Sequence, residues 1–417
     1  MKPSLIGSMA VVIALALPSP SAGQGSAAKG SADLFKSGRV RLVEELRITD
    51  KDLPESALFQ NPRGVAVDAR GNVFVTDFEA NHIKVFGPDG KFQRTIGRKG
   101  QGPGDLSGPA NIEISGARVI VWEGMNRRFS ILDMKGGLIR TAKALHGGWG
   151  DLMKLRALPD GRLAAFIEKG LPDQFQGRLP EEREYAVVLL SADLEPTETI
   201  YEQKALNRRW TRHPETQGLI QIGLPYHPRV EADISAGGTA AIGWNGKYEI
   251  GLYDLGKGKE RISTLTRPYT PIKLEERDKQ AHFSQYRLVV YTDGKKTIVP
   301  KPPEYIVKGT DFPEFLPPYR GMIFDGRGRL WVQVFTPGRE TNVFDIFDPK
   351  GKKGDTIPIQ ENGVMSPFFL NRVAVEGATI DGSFTSGFGK RFVGDYLWKI
   401  ERDADGFAAL VRYRITQ

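Results

Sequence analysis

The feature that most limits what this chain can fold into is a short β-rich unit written several times along it. In the clearest copy, Gly64-Val65-Ala66-Val67-Asp68, Gly71-Asn72-Val73-Phe74-Val75-Thr76-Asp77, Ile83-Lys84-Val85-Phe86 and Gln93 to Ile96 make four runs separated by Asp/Gly turns. That is the pattern of a four-stranded antiparallel meander. Variants follow at 109–145, 153–203, 230–265 and 320–359, and a last copy from about 368 to 415 shows three clear runs beginning with Asn371 to Val375. Runs such as Gly64 to Val67 and Val73 to Val75 are apolar on both faces. A sheet of that kind cannot turn either face to water, so each one must be sandwiched between neighbours.

Radial stacking meets that requirement, and closing the ring hides the end faces that an open stack would expose. The strand pattern Arg39 to Ile48 belongs to no copy and would supply what the last one lacks. The spacing therefore predicts an all-β protein, a six-bladed β-propeller whose N-terminal strand closes the last blade. Six units of about 43 residues need roughly 260. The excess is expected in insertions at 168–184, 204–228, 266–316 and 376–391, with a short surface helix reading from Ile272 to Leu288 after Pro271.

Ahead of the repeats, Met1-Lys2, an apolar run from Leu5 to Leu17 and Pro18-Ser19-Pro20-Ser21-Ala22-Gly23 fit a secretory signal peptide. The apolar run falls short of the ~20 residues needed to span a bilayer. The expected organisation is a signal peptide at 1–23, a flexible leader at 24–37 and the propeller at 38–417. The mature protein would be periplasmic or secreted, with no transmembrane segment.

The copy at 64–97, including Asn81-His82-Ile83-Lys84-Val85-Phe86 and Asp89-Gly90-Lys91-Phe92, resembles an NHL repeat. The family's Asn-His pair aligns with Ala80-Asn81 here. The following Arg98-Lys99-Gly100-Gln101-Gly102-Pro103-Gly104-Asp105 is similar to a loop of exported bacterial six-bladed β-propellers. The resemblance implies a propeller with a binding face. Because such propellers include ligand binders, protein binders, lyases and hydrolases, it implies no single activity.

Chemistry is narrowed chiefly by exclusion. With no cysteine among 417 residues, a thiolate metal site, a disulfide scaffold and a cysteine nucleophile are ruled out. Gly100-Gln101-Gly102-Pro103-Gly104 lacks the Gly-Lys-Ser/Thr ending of a phosphate loop and reads as an inter-blade turn. The recurrent Asp-Gly segments, such as Asp68 to Gly71 and Asp325-Gly326, lack the spaced ligands of a calcium loop and read as hairpin turns. The five histidines make no zinc spacing, and no Gly-x-Ser-x-Gly elbow occurs. No cofactor or metal is assigned. Nucleic acid is not an expected partner, since the formal net charge is only +8 and no nucleic-acid motif is present.

The positive inference comes from propeller geometry. Residues just before the innermost strands should ring the channel mouth, and alignment on the turn glycines places Arg63, Asn111, Lys154, Arg229, Arg320 and Asn371-Arg372 there. Converging guanidinium groups would bind an anionic small molecule, glycan or peptide through charge and planar paired donors. The competing reading is that each cation pairs with an acid such as Asp77, Glu123 or Glu231 and ties blades together. The insertion Asn207-Arg208-Arg209-Trp210-Thr211-Arg212-His213 offers further cations and an indole, either for a ligand or as a solvated loop. Two functions stay open: a non-catalytic binding propeller, with a protein partner as one form of it, or a metal-dependent lactonase- or esterase-like hydrolase or lyase. The second would use Asn111, Glu231 and Asn371 as oxygen ligands.

Overall fold

A computed structural model describes residues 13–14, 38–100, 102–143, 151–169, 181–206, 208–215, 217, 219–284, 288–292, 295–299, 301–340, 342–348, 369–378, 389–403 and 405–416. The expected signal peptide and leader lie outside them, apart from two residues. Alternating apolar runs and turn glycines produce four separate four-stranded antiparallel sheets, at 62–96, 109–143, 151–206 and 230–266. A fifth, eight-stranded sheet holds Tyr319–Phe324, Leu330–Val334, Val343–Phe347 and Phe369–Glu376, then Arg39–Ile48, Ala408–Thr416, Tyr396–Arg402 and Lys390–Val393. The arrangement is that of an all-β propeller.

The innermost strands are Pro62–Val67, Pro109–Ser115, Asp151–Ala157, Val230–Ile234, Tyr319–Phe324 and Lys390–Val393. Pro62–Val67 touches both Pro109–Ser115 and Lys390–Val393, and contacts continue through Asp151–Ala157 and Val230–Ile234 to Tyr319–Phe324. Starts meet starts: Arg229 Nη2 donates to the Arg320 carbonyl at 3.4 Å and Asn245 Nδ2 to that of Tyr319 at 2.9 Å. Ends meet ends, where Arg327 pairs with Asp395 at 2.7 Å. One face of the ring, the mouth, therefore gathers the starts of the inner strands and the turns between second and third strands. Apolar clusters fill the spaces between sheets, for instance Phe166, Val187 and Tyr185 against Val230, Ala232 and Ile242.

The expected closure by the N-terminal strand is present. Arg39–Ile48 pairs antiparallel with the last strand, Leu42 opposite Ile415 and Ile48 opposite Leu410. It also pairs in parallel with the end of Phe369–Glu376 through Arg39 to Arg41. Its inward side chains Val40 and Leu42 are 0% and 2% exposed. The turns behave as read: Asp68, Asp133, Asp325 and Asp403 each accept backbone N–H groups two and four residues on, so their carboxylates hold hairpins.

Three expectations require correction. Phe369–Glu376 is not the innermost strand of the last unit but the outermost of the preceding one, opposite Val343–Phe347. The residues between those two strands lengthen the connection enough to hide the pairing in the sequence. The true innermost strand, Lys390–Val393, begins at the end of the stretch taken as an insertion, 376–391, of which 379–388 lie outside the described residues. The helix is shorter than read, Glu276–Ser284, because Ile272–Lys273 instead pairs as a strand with Phe315–Leu316. A second helix, Glu304–Gly309, follows.

Leu42 stands where the two ends of the chain meet, so Leu42→Ala should lower unfolding free energy by about 2–5 kcal/mol in urea titrations, the range for a buried leucine. A change below about 0.5 kcal/mol would show that the clasp does not carry the closure.

Candidate functional site

The mouth is built from a repeated local device. The pairing of first and second strands slips by a bulge at Pro62/Val65, Pro109/Asn111, Leu152/Lys154 and Tyr319/Gly321. A bulge re-aims the side chain beside it, and those side chains include Arg63 and Arg320. A polar residue near the end of the second strand then pins the incoming chain. Asp77 accepts from the Gln60 and Asn61 N–H groups, Glu123 from that of Ser107, and Asn245 from that of Arg229.

Arg63 and Arg320 share one arrangement in different sheets. The Arg63 guanidinium carbon lies 4.0 Å from the centroid of the Phe78 ring, and that of Arg320 lies 4.2 Å from the centroid of Phe335. Each phenylalanine directly follows a second strand. The sequence reading named both arginines but neither ring. The signal was available in retrospect as Pro62-Arg63-Gly64 with Asp77-Phe78 and Tyr319-Arg320-Gly321 with Val334-Phe335.

The remaining cations of the expected collar meet carboxylates. Lys154 Nζ is 3.0 Å from Asp233 Oδ1, and Arg229 pairs with the buried Glu231. Arg372, on an outermost strand, forms a two-bonded pair with Asp345 at 2.7 and 3.0 Å; Arg267 and Tyr248 bond the same carboxylate. Arg372 therefore pairs with Asp345 inside its own sheet, where Arg267 and Tyr248 reach across from the neighbouring one, and it is not a mouth residue. Asn111 is buried on its innermost strand. Asn371 lies on the same outermost strand as Arg372, so the set Asn111, Glu231 and Asn371 does not share one set of inner strands. Among the described residues no three His, Asp or Glu side chains gather as a metal-binding group.

Further along the inner strands lies a paired-charge network that sequence reasoning missed. Arg391 holds the buried Glu113 through two bonds of 2.7 and 2.8 Å, and Arg156 approaches the same carboxylate at 3.9 Å. Arg156 also donates to the Ile234 carbonyl, while Asp233 receives both Lys154 and the Phe324 N–H. Burial pushes the Glu113 carboxyl up, against the pull of Arg391. These groups tie five inner strands together.

Beside Arg320 the insertions add an aromatic group. Tyr226 lies 6.0 Å from Phe335, 6.4 Å from Phe312 and 6.5 Å from His282, centroid to centroid. Arg339 clamps Asp278 at 2.8 and 2.9 Å and so fixes the helix that carries His282. Burial raises the Tyr226 hydroxyl, with Arg320 acting against it, and burial lowers His282, keeping the imidazole neutral. In the 207–213 insertion, Arg208 is buried on Glu168 and Arg209–Arg212 pairs with Leu219–Ile222 as a hairpin; Asn207 is outside the described residues. No described helix is long and apolar enough to cross a membrane.

The NHL repeat model matches residues 59–86. No curated protein matches the sequence. Among solved structures, the chain is similar to an exported protein from Bacteroides fragilis, with 11% identity and a TM-score of 0.46, over 91% of this chain and 95% of that one. It is also similar to the calcium-binding protein regucalcin from Agrobacterium tumefaciens, with 12% identity and a TM-score of 0.40 over 90% and 96%. A third likeness is virginiamycin B lyase from Staphylococcus aureus, with 12% identity and a TM-score of 0.38 over 89% and 99%.

His282 resists protonation in the folded state, whereas the unfolded chain protonates near pH 6.5. The unfolded state thus binds more protons just below that pH, and stability falls with pH from about 6.5 toward the lowered folded value. His82 and His227 are lowered by burial as well and act in the same sense. In His282→Phe the loss of stability between pH 7 and 5 should shrink without vanishing; denaturant titrations at both pH values check it.

Proposed function

We propose that this NHL-repeat propeller is an exported, six-bladed recognition protein that binds an anionic ligand at its mouth. The blade count treats the eight-stranded sheet as two four-stranded meanders joined by the short parallel contact of Arg39 to Arg41 with Ala374 to Glu376. Export rests on the segment Lys2 to Gly23. The observation that carries the binding reading is the duplicated guanidinium over a ring, Arg63 on Phe78 and Arg320 on Phe335. A ring face holds the cation's plane in place and adds attraction of its own. The guanidinium is then oriented to offer paired N–H donors to a carboxylate, phosphate or sulfate.

The hydrolase or lyase reading has less support. The oxygen ligands it would need are dispersed between innermost and outermost strands, and the inner-strand carboxylates Glu113, Asp233 and Glu231 each hold a cation. Lys154, Arg229 and Arg372 serve the structure and are not proposed as ligand contacts.

Poly-L-glutamate and polygalacturonate serve as probes of two anionic classes. Arg63→Ala and Arg320→Ala should each weaken retention of at least one by about tenfold, the equivalent of a lost hydrogen bond to a charged group, and added salt should weaken wild-type binding. Unchanged affinity for both probes in variants that melt like wild type would refute the reading.

A further inference from the structure

The far end of the channel, opposite the mouth, carries one more buried positive charge than its carboxylates balance. Glu113, Arg156 and Asp233 all lie within the last three residues of their inner strands, on the side where Arg327 meets Asp395. Arg391 bonds Glu113 although Pro62–Val67, which touches both of their strands, stands between them in the ring. Strands that are not neighbours can meet only across the axis, so this pair lies in the channel itself.

The carboxylates buried on the innermost strands are Glu113, Glu231 and Asp233, and each already has a cation. Arg391 takes both oxygens of the first, Arg229 the second and Lys154 the third. Arg156 is surplus to that pairing. Its Nε donates to the Ile234 carbonyl at 2.9 Å, while its Nη1 stands 3.9 Å from the Glu113 oxygen to which Arg391 donates at 2.7 Å. Of the five N–H donors that a guanidinium carries, only the one on Nε reaches a hydrogen-bond partner among the described residues. Two guanidinium groups thus crowd one carboxylate, and their repulsion is strengthened by burial. Neither is sealed off: the side chains of Arg156 and Arg391 are 16% and 15% exposed, against 2% for Glu113.

We infer that the channel, at the end away from the mouth, binds one small inorganic oxyanion, phosphate or sulfate, on Arg156 with Arg391 beside it. Such an ion supplies the missing negative charge, and two of its oxygens match the planar N–H pair of a guanidinium. The Arg391–Glu113 pair crosses the channel and bars a polymer, so the occupant is a single ion. Arg63 and Arg320 belong to the strand starts, and this site stands or falls apart from the mouth.

Inorganic phosphate is the probe, with chloride at equal ionic strength as its control. The wild-type chain should retain about one phosphate in equilibrium dialysis and show a saturable rise in Tm that chloride does not give. Arg156→Gln should weaken phosphate binding by about tenfold, the equivalent of a lost hydrogen bond to a charged group. In chloride it should melt like the wild type, because Glu113 keeps Arg391, whereas Arg391→Gln strands that carboxylate and should melt lower. Arg156→Lys keeps the charge but not the planar donors, so it should also bind phosphate less tightly than the wild type, and it replaces the glutamine variant if that one fails to fold. Equal behaviour of the wild type in the two salts overturns the proposal, as does phosphate binding that survives Arg156→Gln. A loss of Tm in chloride as large for Arg156→Gln as for Arg391→Gln would make Arg156 a structural tie and overturn it too. Phosphate binding that is lost in Arg63→Ala or Arg320→Ala but not in Arg156→Gln would place the ion at the mouth, supporting that reading against this one. Phosphate lost only in Arg156→Gln, with neither polymer responding to the mouth variants, would leave this site standing and remove the other.

Discussion

The five large sheets are buried on two faces along their second strands, and the structure depends on having no such face left over. The strand Val73–Asp77 is buried along its whole length, as are Leu163–Glu168 and Leu330–Val334. Each buried Val, Leu or Phe is worth about 1.5–3 kcal/mol relative to exposure, so an open stack would leave two sheets without their share. Arg39–Ile48 prevents this by lying between the last strand and the edge of the preceding meander. The ring of inner strands, and with it the mouth, exists because that strand completes the circle.

Inside the ring, charge does a different task from the one its composition suggests. Glu113 with Arg391 and Asp233 with Lys154 are buried pairs between strands far apart in sequence. Such pairs add little to stability against an apolar alternative, yet removing one partner strands the other at a cost of about 3–5 kcal/mol. They penalise any register in which the partners miss each other. Away from that network, at the mouth, Arg63 and Arg320 stack on the rings of Phe78 and Phe335.

Much of the fold was legible because two-residue alternation, turn glycines and doubly apolar runs are local signals. The closing role of Arg39–Ile48 followed from counting strands. Lys390–Val393 escaped because a four-residue strand with two cations has no apolar run to announce it. Arg372 was misassigned for the same reason: alignment on turn glycines fails where a long connection separates a third strand from its fourth. Position alone put Arg63 and Arg320 at the starts of their inner strands, where the structure also has them. Their rings, Phe78 and Phe335, were not found, since stacking across a bulge depends on a register shift that spacing does not encode. The Glu113 and Asp233 pairs join residues up to 278 positions apart, beyond the reach of any motif.

The clasp also orders events in time. Leu42 faces Ile415 and Ile48 faces Leu410, so the sheet that seals the circle joins nearly the first and nearly the last residues of the described chain. Bringing together such distant segments carries the largest loop entropy in the molecule and belongs among slow folding steps. Until the final strand is synthesised, the growing chain holds an unfinished wheel with a doubly apolar sheet open to solvent. A chaperone acting on that intermediate would meet its exposed surface at this seam.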